Sequence, residues 1–236
     1  NLPAVTPAEI DGAWSALLHG LPLYDRHKNV LHARGIQDYM GEGYFSSWPS
    51  EKEDPKLRQR ALKAARDFIE KNGQKKKAAA AVPGLLALQN RSGGMLLPMV
   101  EYLGWGVVDR AGNVNHCWRI GGVVFRPDDP DKHGGAKYLF GHGKGTAKIH
   151  VIRPFLTPDG KMILTPEGKP ILTPEGEPLG PRGDIGRRIW ITEGILKANS
   201  IAANFHEWAV GMPGTSGQHD AVASQVALIA KFMETG

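Results

Sequence analysis

The segment 188–212 most constrains the fold, because it predicts a strand, a helix and a second strand in close succession. Residues 188–192 have the pattern of a short buried strand, which stops at Glu193 and Gly194. A helical pattern follows at 195–205, and a second strand is predicted at 208–212. Since parallel strands need a crossover of about this length, we expect the two strands to pair in parallel through a right-handed connection.

Two parallel strands alone would leave an exposed sheet edge, so the fold needs further strands. These come either from earlier in the chain or from sequence beyond Gly236. A turn is predicted at 213–217, and a final helix follows it. That helix is expected to turn four apolar side chains inward: Val222, Val226, Ile229 and Met233.

Glu193 is the first candidate for a functional residue. In open α/β sheets, ligands sit at the carboxyl ends of the strands, where strands turn into helices. A carboxylate in that position can hold a metal ion or move a proton. The alternative is a glutamate that only caps the helix of an ordinary βα unit.

Residues 1–90 are predicted to form a basic, helical N-terminal region. The first helix should begin at a capping box formed by Thr6 and Glu9. A second helix is expected at about 24–34, ended by Gly35.

A third helix is predicted between the cap residue Asp54 and Gly73. Its inner stripe comprises Leu57, Ala61, Ala64, Ala65, Phe68 and Ile69. Its outer face is predicted to be basic, with Lys56, Arg58, Arg60, Lys63, Arg66 and Lys71. This face is either a solvated helix surface or a surface that meets phosphates.

Residues 91–186 are predicted to form a small mixed β subdomain. Short strands are expected at 95–100, 105–109, 114–120 and 137–140, with a hairpin turn at 109–113. Three octapeptide repeats follow at 155–178, within an insertion at 155–182, and each has a short apolar run and a Pro-(Asp/Glu)-Gly turn. We interpret the repeats as a duplicated surface insertion, because they are too short for a solenoid with its own core.

Composition bears on the partners and the compartment. The formal net charge of +5 and the pI near 9.3 favour a polyanionic partner, although many basic proteins bind no nucleic acid. The single cysteine, Cys117, favours a reducing compartment, and we expect a cytoplasmic protein. No Cys/His spacing resembles a zinc site, and no apolar run reaches the roughly 18 residues of a membrane span, so neither zinc nor a membrane is expected.

The order of the motifs resembles that of bacterial-type DNA primases and their relatives on phages, plasmids and mobile elements. Residues 30–36 look like the family's helix, Arg-Gly, helix segment. The family has, in order, a strand, an Asp-x-x-Gly turn, a strand that ends in Arg, and a Lys-Tyr pair. Four segments of this chain are similar to these features in the same order: 94–99, 109–114, 118–119 and 137–139. Residues 191–194 resemble the first motif of the family's TOPRIM domain, and residues 210–216 resemble its second strand and glycine turn. The likeness covers most of the chain from about residue 20, apart from the repeats.

This resemblance implies an α+β protein with the N-terminal helical region 1–90, the mixed β subdomain 91–186, and the first half of an α/β TOPRIM domain at 187–236. It also implies binding of single-stranded DNA template and nucleoside triphosphates for RNA primer synthesis with Mg²⁺ or Mn²⁺, with a replicative helicase as a further partner. The alternatives are a non-catalytic nucleic-acid-binding module and a TOPRIM nuclease.

The resemblance also assigns roles to individual residues. Glu193 would be the general base or would help to hold a metal ion, and Gly194 and Gly214 are the motif glycines. Three cations would meet template or nucleotide phosphates: Arg119, Lys137 and Lys197. The plain alternatives are that Arg119 pairs with a carboxylate such as Asp109, that Lys137 is solvated, and that Lys197 only complements Glu193.

The chain departs from the family at one point. The family carries an Asp-x-Asp motif on a third TOPRIM strand, and these acids bind the divalent metals. That strand would follow the final helix, but the sequence stops at Gly236, and Asp220 at the start of that helix is no substitute. We therefore expect a fragment that is inactive without this strand, with an inactive domain as the alternative.

Overall fold

The computed structural model describes residues 5–36, 45–72, 82, 84–108, 114–140, 149–152, 188–205, 207–212 and 219–235. The predicted hairpin turn, the repeat insertion at 155–182 and the turn that contains Gly214 lie outside these residues. The chain forms two compact units, each assembled from separate stretches. Unit 1 comprises Asn1–Leu31, Met40–Val100 and Arg119–Ala147, and unit 2 comprises His32–Tyr39, Glu101–Trp118 and Lys148–Gly236.

Helices and sheets together confirm the predicted α+β class. The helices are α1 (Pro7–His19), α2 (Asp25–His32), α3 (Pro55–Asn72), α4 (Ile195–Phe205) and α5 (His219–Thr235), with 3-10 turns at Leu86–Asn90 and Pro130–His133. The strands are β1 (Ser46–Trp48), β2 (Gly94–Val108), β3 (Val114–Pro127), β4 (Leu139–Phe140), β5 (His150–Ile152), β6 (Ile189–Glu193) and β7 (Trp208–Met212). None of the described helices is long and apolar enough to span a bilayer.

Unit 1 packs helices against a four-stranded sheet with the order β1-β2-β3-β4. The predicted capping box of α1 is confirmed, since the Thr6 hydroxyl accepts from the Glu9 backbone N–H and the Glu9 carboxylate accepts from the Thr6 N–H. Helices α1 and α3 pack together. Their apolar faces and the sheet share one core, which includes Trp14, Leu17, Trp48, Ala61, Ile69 and Leu96.

The prediction that the outer face of α3 carries exposed cations was wrong at Arg58. Only 6% of this residue is exposed. Its guanidinium donates to the carbonyl oxygens of four residues and lies 4.9 Å from the Trp48 ring centroid. The four acceptors belong to Pro49, Leu88, Gln89 and Arg91. A periodic pattern cannot reveal this burial, because the acceptors lie outside the helix, just after β1 and in or after the 3-10 turn at Leu86–Asn90.

Unit 2 contains a three-stranded sheet with the order β5-β7-β6. Strands β6 and β7 are parallel, as predicted, and α4 joins them. Strand β5 pairs antiparallel with β7, so an earlier part of the chain supplies the third strand. The core below the sheet consists of Tyr102, Ile149, Val151, Trp208, Val210, Val222 and Ile229.

Residues 189–193 form the strand that was predicted at 188–192, but the prediction that this strand is buried was wrong. Trp190 is 40% exposed and Ile191 is 53% exposed. The reason is the sheet order: among the described strands, β6 has a neighbour on one side only. The apolar sequence of an edge strand is indistinguishable from that of a central strand, so sequence alone favoured burial.

We predict that Arg58→Leu lowers the free energy of unfolding by about 3 kcal/mol or more, because it leaves several buried carbonyl oxygens without a donor. Urea denaturation should measure the loss. The matched control is Arg60→Leu, which removes an exposed cation from the same helix and should change stability by less than about 0.5 kcal/mol. Equal stabilities of the two variants would refute the structural role of Arg58.

Candidate functional site

The carboxyl ends of β6 and β7 meet at one edge of the unit 2 sheet. Glu193 is the last residue of β6 and lies in register with Met212, the last residue of β7. Gly194 follows with a φ of +81°, and its N–H donates to the Met212 carbonyl oxygen at 2.7 Å. The Gly194 carbonyl oxygen then accepts from the Ala198 N–H, which starts α4. Glu193 is therefore held where a strand turns into a helix, the position at which open α/β sheets bind ligands.

The carboxylate of Glu193 faces solvent. Its side chain is 66% exposed, and that of Lys197 is 60% exposed. The Lys197 ammonium, four residues further along the chain in the first turn of α4, lies 3.4 Å from the Glu193 carboxylate. Lys197 thus complements Glu193, as the plain alternative predicted. At this exposure the pair contributes little to stability, so both groups remain accessible to a ligand.

Two glycines allow the strand end and the helix to approach closely. A Cβ on Gly211 would lie 2.8 Å from the Gly194 carbonyl oxygen and 3.1 Å from the Ala198 Cβ. Strand β7 can therefore lie this close to the start of α4 only without a side chain at position 211. The turn at Gly194 needs a residue that tolerates positive φ.

A buried polar pair lies beneath this edge, and no motif or spacing in the sequence predicts it. His150 on β5 is in register with Gly211 and is fully buried. The Asn199 amide lies 2.9 Å from His150 Nε2 and donates to the Ile195 carbonyl oxygen. The pair ties β5 to the first turns of α4, and burial lowers the pKa of His150 to about 3. His150 is therefore neutral at physiological pH.

The other predicted site residues divide between the two units. Glu193, Gly194 and Lys197 lie together in unit 2, whereas Arg119 and Lys137 belong to unit 1. Arg119 lies in β3 and is half-buried, and Lys137 is exposed two residues before β4. Their roles in binding phosphates remain predictions.

The described residues do not fit a divalent metal centre by themselves. They contain no group of three or more histidine, cysteine, aspartate or glutamate side chains placed to share an ion. Glu193 is a single carboxylate with a lysine beside it. A two-metal site needs several oxygen ligands, so any such site requires acids from outside the described part of the chain.

A second cluster, in unit 1, has the composition of a catalytic triad. His27 Nδ1 lies 2.6 Å from the Ser47 hydroxyl, and Nε2 lies 2.6 Å from the Asp128 carboxylate. Burial alone would raise the pKa of Asp128, but the hydrogen bond from His27 and the charges of His27 and Arg26 hold it below its ordinary value. Ser47 is 0% exposed and accepts from the Tyr24 N–H, so its hydroxyl cannot meet a substrate. The cluster fastens α2 to the sheet.

Comparisons with protein-family models, curated proteins and solved structures give no match to this chain.

We predict that Gly211→Ala lowers the free energy of unfolding by about 1–3 kcal/mol, because the new methyl group overlaps the Gly194 carbonyl oxygen. Gly20→Ala is the control: its φ is −81° and the added Cβ meets its nearest atom only at 3.4 Å. Chemical denaturation of both variants measures the difference. A Gly211→Ala protein as stable as the wild type would contradict the close approach.

We predict that His150 makes the folded state less stable as the pH falls from about 6.5 toward 3. The folded pKa lies below the unfolded one, so between these values the unfolded chain binds the proton that the folded chain excludes. The loss should approach about 1.4 kcal/mol per pH unit. In His150→Gln this part of the pH dependence should vanish, whereas the exposed control His19→Gln should keep it. An unchanged pH dependence in His150→Gln would overturn the assignment.

Proposed function

We propose that this chain is part of a primase-like replication protein, which binds single-stranded template and nucleoside triphosphates and makes RNA primers with Mg²⁺ or Mn²⁺. One observation carries the proposal: Glu193 ends a strand of a parallel β6–α4–β7 unit, at the sheet edge where α/β proteins bind ligands. The proposed reaction is taken from the order of the sequence motifs, which resembles that of a TOPRIM primase.

In this reaction a 3′-hydroxyl attacks the α-phosphate of the incoming nucleotide, and pyrophosphate leaves. Glu193 takes the proton of the attacking hydroxyl, and its exposure leaves room for the substrate. Lys197 then turns from Glu193 to a phosphate oxygen, where a flexible ammonium acts as a point charge. Arg119 and Lys137 meet template or nucleotide phosphates.

The open edge of β6 supports a TOPRIM assignment. Among the described strands no partner lies on that side, and Ile191 at this edge is exposed. A third strand paired there would lie about 4.8 Å from β6, so acids at its carboxyl end would be neighbours of Glu193. These acids would supply the metal ligands that the described residues lack.

A second candidate is a nucleic-acid-binding module without catalysis, which the exposed face of α3 favours. Lys56, Arg60 and Lys71 are exposed on this face, and none forms an ion pair with another described residue. Lys63 is neutralised by Asp67. Free cations along a helix suit phosphate contacts that depend strongly on salt.

We predict that Glu193→Gln lowers template-dependent primer synthesis by the whole protein by about 100-fold or more, because the general base is lost. Incorporation of labelled nucleotides on a single-stranded template measures this. Glu234→Gln, which removes an exposed carboxylate at the end of α5, is the matched control and should retain full activity.

Three results would replace this proposal. Unchanged synthesis by Glu193→Gln would remove the catalytic role of Glu193. Salt-sensitive binding of single strands without synthesis by the wild type would favour the binding module. Metal-dependent nicking without synthesis would favour a nuclease.

A further inference from the structure

Two aromatic rings of unit 2 are stacked on each other and face solvent. The ring centroids of Trp190 and Phe205 lie 5.8 Å apart, with an interplanar angle of 21°. Trp190 is 40% exposed and Phe205 is 60% exposed. Other large aromatic side chains of this unit, Tyr102 and Trp208, are buried. Contiguous exposed apolar surface can mark an interaction site.

Two arginines belong to backbone segments next to those that carry this pair. The Arg34 carbonyl oxygen accepts from Ser200 Oγ at 2.8 Å and from Asn204 Nδ2 at 3.0 Å, which fastens Arg34 beside the last turn of α4, where Phe205 lies. Arg188 lies two residues before Trp190, and its N–H donates to the Glu207 carboxylate at 2.9 Å.

The two guanidinium groups are available to a ligand. Both side chains are exposed, and neither pairs with a carboxylate of the described residues. Glu207 is buried, so its carboxylate is turned toward the backbone of Arg188 and away from solvent.

We propose that Trp190 and Phe205 form a platform on which an unpaired base of a single-stranded nucleic acid stacks, with Arg34 and Arg188 meeting the adjacent phosphates. An aromatic face accepts any base, and arginine suits phosphate geometry. The negative end of the α4 dipole disfavours a phosphate directly at Phe205, so the base lies on the rings and the phosphates lie toward the arginines. This role rests on the proposed nucleic-acid function but not on catalysis by Glu193.

The test is binding of a fluorescently labelled oligothymidylate to the whole protein, followed by anisotropy at low salt in the presence of EDTA. We expect Phe205→Leu and Trp190→Leu each to weaken binding about tenfold, because an alkyl side chain cannot stack. Arg34→Gln and Arg188→Gln should each reduce the slope of log affinity against log salt by about 0.7.

Two controls keep the result interpretable. Leu103→Ala removes another exposed apolar side chain of unit 2, and Lys52→Gln removes an exposed cation of unit 1, so both should bind as the wild type does. Circular dichroism should show that the platform variants remain folded. EDTA removes the divalent metal, so this experiment measures binding without primer synthesis. Its result is therefore independent of the result for Glu193→Gln.

Four outcomes would overturn the platform, three in the binding experiment and one in the oligomeric state. The first is that the wild type shows no binding. The second is that the platform variants bind as tightly as the wild type, and the third is that the controls lose as much affinity as the platform variants. A dimer that Phe205→Leu dissociates in sedimentation would also overturn it, because a second copy would then cover the rings.

Discussion

The close approach of Gly211 to Gly194 is the constraint on which unit 2 depends. Strand β7 can lie against the start of α4 only because position 211 has no Cβ, and the chain can turn from β6 into α4 because Gly194 adopts a positive φ. The backbone bond from Gly194 to Met212 then fixes the ends of both parallel strands at one edge. Glu193 is presented to solvent as a consequence of this backbone geometry and not of its own contacts.

The elements encoded by local chemistry were predictable from sequence. The capping box at Thr6 is a three-residue signal, and α4 and β7 have the bounds that their apolar periodicity and flanking residues indicate. Helix α2 ends two residues before the predicted boundary, because a turn precedes Gly35. The predicted strands at 95–100 and 105–109 belong to one long strand, β2.

The features that depend on tertiary contacts were not predictable. The carboxylate of Asp128 binds a histidine 101 residues away in sequence, and the buried guanidinium of Arg58 donates to four backbone carbonyls outside its own helix. No local pattern distinguishes His150 from the other histidines, because its burial depends on the pairing of β5 with β7. In each case a polar residue is satisfied by partners that no local pattern specifies, since hydrogen bonds of this kind form only when separate segments meet.

Strand β6 carries both candidate sites. Trp190 and Glu193 are three positions apart, and side chains alternate across a strand, so their Cβ atoms leave the strand on opposite faces, with Trp190 on the face covered by α4. The Glu193 carboxylate, at the end of the strand, still reaches Lys197 of α4 at 3.4 Å. A strand added at the open edge of β6 would cover Ile191 and bring ligands to Glu193. It would leave Phe205 accessible, because this ring belongs to the helix above the sheet. A strand paired at the open edge of β6 and a ligand placed on the two rings would therefore not exclude each other within unit 2.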